Sequence, residues 1–171
     1  MNRRPAWVAL GANLGEPHRQ VAAGFDALAT LPDTVLEARS RIWRSRPLTP
    51  PGESPDDQPD YANAVARLTT GLAPAALLDA LHGLEAAAGR VRERHWGPRL
   101  LDLDLLLHDD VRSDTPALRL PHPGLLVRDF VLYPLADIDP RLILPNGLTV
   151  AAQLDELPAG ERPVPREDAD D

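Results

Sequence analysis

Cysteine is absent from the 171 residues, and so is lysine, since all 18 basic positions are arginine. The first absence removes disulfides, thiol nucleophiles and thiolate metal sites. The second removes a P-loop lysine and Schiff-base chemistry, so phosphate would have to be held by arginine forks, backbone amides or a metal. Aromatics are scarce, with only two Tyr and two Phe besides three Trp, so an aromatic beside polar residues carries weight. No apolar run approaches the length that crosses a bilayer. The opening Met1-Asn2-Arg3-Arg4-Pro5 leads into too few apolar residues before Gly11 for a signal peptide. A cytoplasmic location without a membrane partner is therefore expected. The net charge of −8 argues against a nucleic-acid surface.

What is present fits one domain over residues 1–157, with a proline-rich, acidic tail at 158–171 that reads as disordered. Residues 6–10 read as a short buried strand ended by a turn at Gly11–Gly15. Pro17 suits the first turn of a helix in which Val21, Phe25 and Leu28 recur at helical spacing. Residues 34–44 alternate, placing Leu36, Ala38, Ser40 and Ile42 on one face of a half-buried strand. Five prolines and Gly52 make 46–60 a long loop, a length often used for lids. Strand character returns at 61–70, and Pro74 opens a second helix with Leu77, Leu81 and Leu84 on one side and Gly89 as its C-cap. An arginine-rich loop, a strand at Leu101–Leu107 and a short helix around 124–135 follow. The order β-α-β-β-α-β predicts an α+β fold with a ferredoxin-like core. Its antiparallel sheet would carry two helices packed on one face, with long active-site loops.

The most specific run is Arg99-Leu100-Leu101-Asp102-Leu103-Asp104-Leu105. Alternate side chains of a strand share a face, so Asp102 and Asp104 point the same way, roughly 7 Å apart at about 3.3 Å per residue. Two fixed carboxylates repel each other and cost desolvation energy, and a divalent cation relieves both. Oxygen-only ligation suits Mg²⁺ or Mn²⁺. Taken alone, the pair is also what a wet strand face looks like, and the cluster Arg90, Arg92, Arg94 and Arg99 alone is a solvated surface. Together, with Gly97-Pro98 turning between them, they fit a metal-bound polyphosphate held from both sides. Tyr61 and Asn63 likewise share a strand face, where a ring can stack on a heterocycle and an amide can read its edge. The structural alternative is a strand-starting aromatic beside a turn-forming Asn. Phe130, two residues after Arg128, and His122, between two prolines, read alone as a core aromatic and a turn histidine. His18, His82 and His108 have no partners at metal-ligand spacing.

Gly89-Arg90-Val91-Arg92, Trp96-Gly97-Pro98-Arg99 and Leu101-Asp102-Leu103-Asp104 together closely resemble the signature of the 6-hydroxymethyl-7,8-dihydropterin pyrophosphokinase family. Ala9–Gly15, Asp60–Ala64, Leu120–Pro123 and Arg128–Leu135 extend the resemblance in family order across residues 6–145. It implies transfer of pyrophosphate from ATP to the hydroxymethyl group of 6-hydroxymethyl-7,8-dihydropterin, with release of AMP, on the route to folate. It also implies that Asp102 and Asp104 hold two Mg²⁺ ions bridging the ATP phosphates. Tyr61 and Phe130 would sandwich the pterin, Asn63 would bond its edge, and Ser45 and Leu48 would give it backbone contacts. Arg90 and Arg99 would bind phosphate and stabilise transition-state charge, with Arg92 and Arg128 assisting. His122 would touch the nucleotide and Leu105 would line the adenine site. A monomer is expected.

The resemblance has departures. His95 precedes Trp96 where an arginine is usual, Ala12 replaces a serine, Leu100 replaces a threonine, and Pro50–Ser54 lengthens the proline-rich loop. Two rival readings stay open on the residues alone. One is an ordinary kinase or nucleotidyltransferase on this scaffold, which as a kinase would release ADP. The other is a nucleotide- or pterin-binding module that binds without forming AMP.

Overall fold

A computed structural model describes residues 3–45, 61–89, 100–158 and 163–165. The apolar run expected at 6–10 is the middle of a longer strand, β1 (Arg4–Ala12), around which the sheet is built. Between β1 and the next strand runs α1 (Pro17–Leu28). The outer strand expected at 34–44 is split into β2 (Thr34–Arg39) and β3 (Trp43–Ser45). Both pair antiparallel with β4 (Tyr61–Thr70), which also pairs antiparallel with β1. After α2 (Pro74–Ala87), β5 (Asp102–His108) lies antiparallel on the far side of β1. This is the ferredoxin-like α+β core, with sheet order β5-β1-β4 followed by β2 and β3. Both long helices start with proline in the first turn, where its missing N–H costs nothing. Downstream come the hairpin of β6 (Ser113–Thr115) and β7 (Leu118–Leu120), then α3 (Asp129–Ile138) and α4 (Val150–Asp155).

Three expectations change. First, the Gly11–Gly15 stretch is not wholly a turn, because β1 continues through Gly11 to Ala12 before the chain leaves the sheet. Second, Leu36, Ala38, Ser40 and Ile42 do not form one face. A register shift between Leu36 and Ala38 sets Ala38 opposite Arg67, while Leu36 pairs with Leu68. At the break, Ser40 replaces ladder bonds: its amide donates to the Val65 carbonyl at 2.9 Å, and its Oγ accepts from the Val65 amide at 2.9 Å. Third, the tail expected to be disordered from 158 onward includes β8 (Val164–Pro165), which pairs antiparallel with β3. Pro163 and Pro165 favour an extended backbone there, and neither has an N–H to offer another strand.

The two expected helices, α1 and α2, share one face of the sheet, and α3 and α4 cover the other. Val21, Phe25 and Leu28 of α1 and Leu77 and Leu81 of α2 bury themselves against the even-numbered side of β1 and β4, with Leu101, Leu103 and Leu105. On the other face, Val131, Leu132 and Leu135 of α3 and Val150 of α4 pack on Trp7, Val65, Leu106 and Leu107. Fully burying each such leucine or valine contributes about 1.5–3 kcal/mol. Two indoles from the sheet lock α3 in place: Trp7 Nε1 donates to Asp139 at 2.8 Å and Trp43 Nε1 donates to Asp137 at 2.8 Å. Arg67 adds an ion pair to Asp139 at 2.6 Å. Among the described residues, no helix is long and apolar enough to cross a membrane.

Candidate active site

The face of the sheet that carries α3 runs out of apolar side chains toward one end, and there the polar residues gather. Directly paired residues of antiparallel strands share a face, so the ladder defines a row across four strands. Asp102 of β5 lies opposite Gly11 of β1, Gly11 opposite Asn63 of β4, and Asn63 opposite Trp43 of β3. Asp104 lies one step along, opposite Ala9. The alternation expected for the carboxylates holds: Leu101, Leu103 and Leu105 are buried on the opposite face, while Asp102 is half-buried and Asp104 exposed. Tyr61 pairs with Ser45, so both sit on the Asn63 face, just beyond the row. Asn63 itself is only 6% exposed, and its Nδ2 donates to Ser45 Oγ at 2.7 Å.

A second wall comes from the chain between β7 and α3. The His122 amide donates to the Leu106 carbonyl at 2.9 Å, which ties this segment to β5 beside the carboxylates. The His122 Nδ1 accepts from the Gly124 amide at 3.0 Å, leaving Nε2 as the ring's other polar atom. Burial pushes the His122 pKa below its ordinary value; the Asp104 carboxylate pulls it back up and the Arg128 guanidinium adds to the lowering. Asp104 and Arg128 are thus both close enough to act on His122. Arg128 sits immediately before α3, its guanidinium 5.8 Å from the centre of the Phe130 ring, and Phe130 lies in the first turn of that helix.

Both segments that hold the remaining expected site residues begin and end at this place. Residues 46–60 leave from Ser45 and return at Tyr61, which are cross-strand partners. Residues 90–99 leave from Gly89, at φ +101°, and return at Leu100, two positions before Asp102. A Cβ on Gly89 would approach Leu100 to 3.0 Å, so the two ends abut. Leu48, Arg90, Arg92, Arg94, His95 and Arg99 lie outside the described residues.

The model of the family described as 7,8-dihydro-6-hydroxymethylpterin-pyrophosphokinase matches residues 7–140. The chain belongs to this family. A pyrophosphokinase family relative from Pseudomonas aeruginosa, named 2-amino-4-hydroxy-6-hydroxymethyldihydropteridine pyrophosphokinase, is 51% identical over 141 residues, covering 82% of this chain and 84% of its own. A Haemophilus influenzae relative of the same name is 44% identical over 142 residues, covering 83% and 86%. Among solved structures, an HPPK-DHPS chain in complex with substrates superimposes with a TM-score of 0.70 at 11% identity over 91% of this chain. A Plasmodium falciparum HPPK-DHPS triple mutant superimposes at 0.65 with 13% identity. This chain spans 43% and 44% of those two longer chains, and at such identities the likeness concerns the fold alone.

Within the pyrophosphokinase scaffold, the structure brings together Asp102, Asp104, His122, Arg128, Tyr61, Asn63 and Ser45 at one end of one sheet face, with Phe130 opening the helix packed there. It does not bring the Leu105 side chain, which is 4% exposed and lies in the core under α1 and α2, away from the carboxylates. Strand alternation turns it there, as it does Leu101 and Leu103. Two contributors escaped the sequence reading. Gly11 leaves room for Asn63, since a Cβ at residue 11 would stand 3.3 Å from Asn63 Oδ1. Glu85 of α2, 3% exposed, accepts the Leu103 amide at 2.8 Å between the two aspartates. Its spacing was a signal: Leu77, Leu81 and Glu85 recur every four residues, so a carboxylate continues the buried stripe where Leu84 was expected.

Proposed function

We propose that the protein transfers the pyrophosphoryl group of ATP to the hydroxymethyl oxygen of 6-hydroxymethyl-7,8-dihydropterin and releases AMP, a step toward folate. The observation that carries this reading is the row from Asp102 through Gly11 to Asn63, which sets a carboxylate pair and a ring-reading amide on one face, two strands apart. At about 4.8 Å per strand, that separation is roughly 10 Å, the scale of a pterin with its hydroxymethyl arm reaching toward a phosphate chain. Family membership and the relatives' names support the same reading.

In this reading Asn63 bonds the edge of the pterin, and Tyr61 and Phe130 flank its faces. Asp102 and Asp104 would hold Mg²⁺. The donor set fits that ion, for it has two carboxylates on one face, no soft ligand, and no group of three or more Asp, Glu or His among the described residues. Magnesium takes one or two carboxylates and completes its shell with water and phosphate oxygens. When bound, it would supply positive charge to offset that of the triphosphate. The hydroxymethyl oxygen bonds to the β-phosphorus as the bond from that phosphorus to the α–β bridging oxygen breaks. AMP departs and the hydroxyl proton passes to solvent. As in other phosphoryl transfers, positioning and charge neutralisation supply most of the acceleration. Arg128 and the arginines Arg90, Arg92 and Arg99 carry the charge that suits this task, and His122 lies where it could meet the nucleotide.

The test is a product analysis with ATP, magnesium and 6-hydroxymethyl-7,8-dihydropterin. AMP and the pterin pyrophosphate are the expected products. ADP would indicate an ordinary kinase, and binding of both substrates without AMP would indicate a binding module.

A further inference from the structure

We infer that Ser45 is a positioning residue whose hydroxyl anchors the nitrogen end of the Asn63 amide, and so holds that amide where it can read the edge of a ligand; the inference rests on the pterin reading above. A carboxamide turns about its terminal torsion, so a hydrogen bond at one end restricts the angle at which the other end is presented. For Asn63 the partner is Ser45, one step along the neighbouring strand, whose Oγ accepts from Nδ2 at 2.7 Å. The acceptor end is thereby turned toward β1, where Gly11 stands opposite. A side chain there would press on Oδ1, at 3.3 Å from a Cβ, so glycine leaves the carbonyl oxygen its place in the row between Asn63 and Asp102.

With one N–H committed to Ser45, the amide has its second N–H and the lone pairs of Oδ1 left for a ligand, a donor beside an acceptor. A pterin edge carries ring nitrogens, an amino group and a carbonyl in fixed order, so it is matched best by an amide held at a fixed angle. A site with buried polar groups discriminates mainly through the groups that a wrong match leaves unpaired. Because Asn63 is almost fully buried, an amide released from Ser45 would have little water to compensate it. The sequence had offered Ser45 only as a backbone contact; the hydroxyl is the part that acts on Asn63.

Ser45→Thr and Ser45→Val give side chains of nearly the same shape that differ in the hydroxyl. The threonine variant is expected to keep the parental KM for 6-hydroxymethyl-7,8-dihydropterin. The valine variant should raise it about 3- to 10-fold, the loss of one hydrogen bond, with the KM for ATP within about twofold of the parent. A second readout is independent of turnover: in the ligand-free protein, hydrogen exchange at the Asn63 side-chain amide, followed by NMR, should be slowed in the parent and the threonine variant and faster with valine. Equal pterin KM values for the two variants, or a matching rise for both substrates with valine, would overturn the inference. If the parent forms no AMP, the functional reading is what fails, and the exchange rates still decide whether Ser45 holds Asn63.

Discussion

Asp102 and Asp104 stand two residues apart on one strand face, so both carboxylates are presented to the same side. Asp102→Asn and Asp104→Asn keep the shape and remove the charge. Each is expected to lower AMP formation by about a hundredfold or more, corresponding to roughly 3 kcal/mol of transition-state stabilisation. The thermal unfolding midpoint of the free protein should change little, because neither carboxylate belongs to either apolar core; a large fall would mean that the carboxylates hold the fold instead. His122 yields a prediction of the opposite kind. Its folded pKa lies below the ordinary histidine value through burial, so the unfolded chain takes up the proton first. The contribution is fully present above the unfolded pKa, near 6.5, and is lost as pH falls toward the folded pKa. Protonation would also break the acceptance by Nδ1 of the Gly124 amide. His122→Asn offers an oxygen to the same amide without titrating. Its denaturant midpoint should decline less steeply than the parent's between pH 7 and pH 5, and parallel curves would sink the assignment. The carboxylates and Tyr61 with Asn63 were legible in the sequence because a spacing of two on a strand fixes their common face. Ser45's hydroxyl and Gly11 were not, because their roles depend on which strands become neighbours.

At the scale of elements, β5 is an edge strand, and edges leave backbone donors without a ladder partner. The Leu103 amide meets this with Glu85, reaching over from α2. One carboxylate thus joins the helix layer to the strand that positions the aspartates. Glu85→Leu, which keeps the apolar stripe, leaves the amide unpaired and is expected to destabilise the protein by about 1–3 kcal/mol in denaturant unfolding. Glu85→Gln can still accept that bond and should retain more of the parental stability. If leucine is as stable as the parent, the bond is incidental. The long strands and both proline-started helices could be read directly, since their periodicity and punctuation are local. The division of 34–45 could not. It depends on Ser40 finding Val65 on another strand, and on a register shift that no alternation in the sequence announces. The same holds for β8, where Val164 and Pro165 gain a partner only because β3 presents an open edge.

Taken whole, the molecule is a sheet with an apolar layer on each side, and only one of the two was foreseen. The α1 and α2 layer shows as leucines at helical spacing, whereas α3 is an almost unbroken apolar stretch with Pro134 inside it, which reads as little more than a short helix. Its place on the opposite face is settled by the indoles of Trp7 and Trp43 reaching Asp139 and Asp137. This arrangement separates stability from chemistry. The two cores lie along the length of the sheet, while the polar row occupies one end, with Asp104 open to solvent. An ion held by these two carboxylates would lie outside both apolar cores. Chelation with EDTA is therefore expected to stop AMP formation and to be reversed by added Mg²⁺. The thermal midpoint of the ligand-free protein should move by less than about 2 °C, a change that corresponds to no more than about 1 kcal/mol for a chain of this length. A midpoint that collapses on chelation would place the cation among the structural supports of the sheet, and activity that survives it would remove the cation from the reaction.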